Sequence, residues 1–123
     1  MVIRIASVVL TLAGVLALIS GLLIWLGWAL QLVSLHMLLG ILTIAALWTI
    51  CFAQATMPAG SWTIALGGLL LGIVTLLLAL YQATLLVGSL HWIVQAMHLL
   101  LGIAIIGLGH MLTARLRKGK SSR

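Results

Sequence analysis

Apolar residues run along this chain in four blocks, and the few polar positions inside each block recur on one helical face. The blocks cover about Ile3–Leu26, Gln31–Thr56, Trp62–Val87 and Ser89–Arg115. Each is as long as the roughly 20 residues a helix needs to cross a bilayer. Set on a helix at about 100° per residue, His91, Gln95, His98, Gly102 and Gly109 of segment four share a face. His110 falls about 120° away from His98 on the same projection. Segment two aligns His36, Gly40, Thr43, Leu47 and Gln54, and segment three aligns Gly68, Gly72, Thr75, Ala79 and Gln82. Segment one carries Ser7, Thr11, Gly14, Gly21 and Trp28 at spacings of 3, 4 or 7. Seams of small residues let another helix or a flat ligand approach closely. Ionisable groups inside a span are expensive, which makes the histidine stripe the first candidate for function.

The breaks between blocks are legible as well. A short turn is expected around Gly27–Ser34, with Trp25 and Trp28 marking an interface. Pro58-Ala59-Gly60-Ser61 is the clearest turn, and Trp62 anchors the start of segment three. Gly88-Ser89 turns the chain into segment four, with Ser89 as the expected N-cap. His36-Met37-Leu38-Leu39-Gly40-Ile41 matches His98-Leu99-Leu100-Leu101-Gly102-Ile103 in five of six positions, at an offset of 62. The expected fold is all-α: one integral membrane four-helix bundle over 1–123, built from two parallel two-helix repeats, with a basic tail at 116–123.

Composition sharpens this reading. The 123 residues are 65% hydrophobic and 5% charged, with no Asp or Glu. A soluble chain carries about 25% charged residues. The basic residues are Arg4 at one end and Arg115, Arg117, Lys118, Lys120 and Arg123 at the other. Both ends are therefore expected on the cytoplasmic side of an inner or plasma membrane, with no Lys or Arg in either outer loop. These charges are juxtamembrane and too few for a nucleic-acid groove, so no nucleic-acid partner is expected. The first apolar run is read as a retained membrane helix rather than a signal peptide.

The absence of carboxylates argues against acid-base hydrolysis by Asp or Glu and against transport coupled through acidic residues. Cys51 is the sole cysteine, so it forms no disulfide within the chain. His91 and His98 are separated by roughly 10 Å of helical rise, too far to chelate one ion. Measured from the cytoplasmic boundary, His36 lies about 33 Å up segment two, between His98 at about 26 Å and His91 at about 36 Å up segment four. Two imidazoles at matched depth on parallel helices can meet one iron from opposite sides. Gly40 and Gly102, each four residues beyond a histidine, leave room for a flat ring. His110 is expected among solvated interfacial groups, and Gln54 and Gln82 are expected to hydrogen-bond between helices.

On these residues the chain resembles small four-helix membrane b-type cytochromes: cytochrome b561-like proteins, the cytochrome b core and each half of haem A synthase. The resemblance rests on helix count, on His36 and His98 in segments two and four, and on glycines in the facing segments. It implies one b-type haem with His36 and His98 as iron ligands, and His91 as the alternative to His98. Gly40, Gly102 and Gln95 would complete the pocket. Segment two has no second histidine to pair with His110, so at most one bis-histidine haem is implied. The acidic and arginine residues common around haem propionates are missing, apart from the terminal basics. Function would be electron transfer between a quinol in the bilayer and a redox partner protein. Two other readings stand beside it. One is a cofactor-free accessory subunit or scaffold of a larger membrane complex; the other is a transporter-like homodimer with a polar cavity around Gln95 and His98.

Overall fold

The computed structural model describes residues 1–58 and 60–121, with side chains to Gly119. Ala59 of the proline turn and Ser122 and Arg123 of the basic tail lie outside the described residues. Four helices make up the fold: α1 (Val2–Trp25), α2 (Val33–Thr56), α3 (Trp62–Tyr81) and α4 (His91–Ser121). Single 3₁₀ turns precede α2 at Leu30–Leu32 and follow α3 at Gln82–Thr84. All four are long and apolar enough to cross a membrane.

The way they pack is that of helices in lipid. In α1 the buried face is Ala6, Ser7, Leu10, Ala13, Gly14, Ala17 and Ser20. Its outer face carries Ile5, Val8, Leu12, Leu16 and Ile19. In α3 the buried residues are Ala65, Gly68, Gly72 and Thr75. On α1 and α3 mostly small side chains thus face inward and large ones outward, the pattern of helices that pack by close backbone approach in lipid. Gly68 faces the Cys51 sulfur and Gly72 lies against the Trp48 indole, each with no room for a Cβ.

Helices α2 and α4 each contact the other three, while α1 and α3 occupy opposite corners. Gly14 meets Ile106 and Gly102 meets Leu18, so α1 and α4 run antiparallel and both chain ends lie at one end of the bundle. That end is solid. Leu10, Leu47, Ile50, Ile105 and Leu112 are the largest fully buried apolar side chains, and they cluster there with Ala6, Cys51, Ala65 and Leu116. The opposite end, beneath the α1–α2 and α3–α4 connections, is hollow.

Three boundaries differ from the sequence expectation. Helix α3 stops at Tyr81 rather than Val87, and α4 starts at His91 rather than Ser89. In the connection α3 gives way to the 3₁₀ turn at Gln82–Thr84 and then to extended backbone at Leu85, and the left-handed Leu86 (φ 46°) and Gly88 (φ 105°) keep a helix from restarting before His91. Ser89 therefore lies too early to cap α4. At its other end α4 runs past Arg115 to Ser121, since Leu116, Arg117 and Lys118 are good helix formers with no breaker among them. The α1–α2 turn is closed by a Schellman motif. Trp28 N–H donates to Leu23 O (3.0 Å) and Gly27 N–H to Ile24 O (2.9 Å), with Gly27 at φ 75°.

Candidate functional site

The hollow end encloses a cavity of about 480 Å³. All six sequence candidates line it: His36, Gly40, His91, Gln95, His98 and Gly102. Its remaining walls are mostly aliphatic, with Ala17, Gly21 and Trp25 from α1 and Thr75 and Ala79 from α3. Among the described residues no Lys or Arg lines it. A concave apolar space with a few convergent polar groups is the usual form of a small-molecule or cofactor site.

The His36 and His98 rings meet across α2 and α4 with centroids 6.1 Å apart and planes at 68°. His36 is seated on α1. Its Nδ1 lies 2.9 Å from Ala17 O and 3.2 Å from Ser20 Oγ. A carbonyl can only accept, so Nδ1 must carry the proton. Ser20 agrees with this, because its own hydroxyl donates to Ala17 O (3.1 Å) and leaves Oγ as an acceptor. The ring edge rests on Gly21, where a Cβ would come within 2.8 Å of His36 Cε1. In the neutral ring Nε2 is then the lone-pair nitrogen. Its position matches that of metal-binding histidines, whose second nitrogen ordinarily donates to a carbonyl or carboxylate.

His98 has no such seat; its Nδ1 is buried without a hydrogen-bond partner. His91, at the first residue of α4, places Nδ1 3.1 Å from Leu85 O, so it too donates from Nδ1. It stands at the mouth of the cavity with Gln95 one turn below it. Gly40 faces open space, and Gly102 faces the Leu18 side chain, which a Cβ would approach to 3.2 Å.

Other polar residues fall elsewhere. His110 is exposed at the solid end, but it is not merely solvated. Thr11 donates to Ser7 O (2.8 Å), so His110 Nε2–H donates to Thr11 Oγ1 at 3.2 Å. Among the described residues Gln54 and Gln82 make no interhelical hydrogen bond, contrary to expectation, and Gln54 Oε1 is buried without a partner. The threonines of α2 and α3 likewise bond within their own helices, Thr43 to Leu39 O and Thr75 to Leu71 O. Among the described residues no three His, Cys, Asp or Glu side chains gather as a metal cluster.

Sequence reading did not assign Ala17 and Ser20 to the site. The α1–α2 hairpin turns about Trp28, and reflection through that point carries residue 20 onto residue 36. That symmetry was the available signal. No family profile, curated protein or solved structure matches the chain.

Proposed function

We propose that the protein is an integral membrane electron carrier that holds one b-type haem between His36 and His98. The observation carrying this reading is the pair itself: two imidazoles from α2 and α4, 6.1 Å apart at one depth of an apolar cavity, one with its outer nitrogen committed to a carbonyl. His36 and His98 would be the residues that hold the iron, through neutral imidazole nitrogen. The cavity volume lies in the range of cofactor pockets, about 300–1,000 Å³. Haem would supply one-electron chemistry at the iron. The chain's own residues would fix the His36 lone pair, offer the unseated His98 ring beside it, shield the site from water, and leave His91 and Gln95 near the start of α4, where a quinol could approach from the bilayer. The basic residues at the solid end favour a cytoplasmic location for both termini, with the cavity towards the opposite face. The matching His-x-Leu-Leu-Gly-Ile segments of α2 and α4 suit two parallel repeats that each contribute one ligand.

The test is a visible spectrum of protein purified from haem-sufficient cells. A reduced-minus-oxidised Soret and α-band pair is expected in the wild type and in His91→Ala, and its loss in His36→Ala and His98→Ala. A colourless, fully folded wild type would sink the proposal. One observation favours a second reading, docking into a larger complex: Gly67 and Gly107 are exposed, with nothing near a would-be Cβ, and suit a helix from another subunit.

A further inference from the structure

We propose that Ala17 O, Ser20 and Gly21 form a tautomer lock. They hold His36 as the Nδ1–H form, so that Nε2 is the one nitrogen this histidine presents to a Lewis-acidic centre in the cavity. Ser20 is thereby a positioning residue. The lock follows from the hydrogen-bond inventory. Ala17 O receives the Ser20 hydroxyl at 3.1 Å and the His36 Nδ1–H at 2.9 Å, and Ser20 Oγ lies 3.2 Å from the same Nδ1. An Nε2–H tautomer would set the Nδ1 lone pair against one oxygen that has only lone pairs. It would also leave Ser20, whose proton is already committed, with nothing to donate. Gly21 keeps the ring in register, since a methyl there would press on Cε1.

The histidine pair is consequently unequal. His98 has a buried Nδ1 with no partner and lacks an equivalent lock. A donated Nδ1–H makes the opposite nitrogen more basic. His36 is therefore the stronger and better oriented ligand, and His98 the adaptable one. That consequence for a bound metal rests on the haem reading, whereas the tautomer does not.

The test is nitrogen-15 NMR of the full chain, histidine-labelled, in lipid nanodiscs at alkaline pH without cofactor, with ring signals assigned through His36→Gln. Neutral histidine in water favours Nε2–H. His36 is expected to be mainly the Nδ1–H form, its ratio shifted about fivefold or more from that of histidine in water, the shift one net hydrogen bond supports. Ser20→Ala is expected to lower that ratio by about twofold with the far-ultraviolet spectrum unchanged. Gly21→Ala is expected to collapse the ratio, and the His91 signals should stay fixed in both variants. A wild-type His36 that is mainly Nε2–H, or a ratio unmoved by both variants, overturns the lock. Addition of haemin to the same samples separates the two proposals. A locked His36 in a chain that takes up no haemin removes the haem reading alone, and haemin uptake by a chain whose His36 is Nε2–H removes the lock alone.

Discussion

Trp48, Gln54 and His98 each bury a polar atom that finds no partner. In hydrocarbon such an orphan is costly, by about 1–3 kcal/mol. The three sit differently. Trp48 and Gln54 pack away from the cavity lining, whereas His98 is part of it. Replacing an orphan by an apolar group of similar shape removes the cost without opening space. Gln54→Leu is thus expected to raise stability by about 1 kcal/mol, read as a higher Tm by circular dichroism in detergent. His98→Leu is expected to do the same for the empty protein while removing haemin binding. A Gln54→Leu variant less stable than wild type would reveal a role for the amide beyond packing.

Helix ends account for what was and was not legible in the sequence. Four spans and their apolar lengths follow directly from the blocks, because nothing else hides about 20 consecutive apolar backbone groups. The shared face of His91, Gln95 and His98 was legible for the same reason: 3.6-residue periodicity is rigid within a helix. The end of α3 was not, because Leu85, Leu86 and Val87 continue the apolar pattern while the backbone has already left the α-helix through the 3₁₀ turn at Gln82–Thr84. Nor was the His36 seat, since a backbone carbonyl has no sequence signature. The Leu86 conformation carries its own prediction. A branched residue in the left-handed region is strained, so Leu86→Gly is expected to stabilise the chain by about 0.5–1 kcal/mol. Leu86→Val is expected to destabilise it by at least as much, both measured by thermal unfolding. Because this turn brings Leu85 O to His91, Leu86→Val should also release the His91 ring, visible in its nitrogen-15 shifts.

At the scale of the whole molecule, one end is packed and the other is open. Truncations should register that division. Leu47→Ala or Leu112→Ala, in the packed end, is expected to cost about 2–4 kcal/mol or less, because lipid removes part of the transfer term. Leu99→Ala, on the cavity wall, is expected to cost under 1 kcal/mol, because its side chain borders the cavity rather than the packed core. Equal losses at the two ends would contradict the division. The charge distribution tests orientation separately. A reporter enzyme fused at Lys118 is expected to be active only on the cytoplasmic side, and one inserted after Val87 only on the opposite side.

The solid base also bears on assembly order. With four helices already clamped below the void, the upper halves of α2 and α4 stand like the jaws of a vice whose screw is set. If a guest binds there as proposed, it need not wait for the polypeptide to fold around it. Maturation would be a docking event on a finished scaffold, confined to the last turns beside the two connections, and amide exchange should slow there alone when the guest arrives.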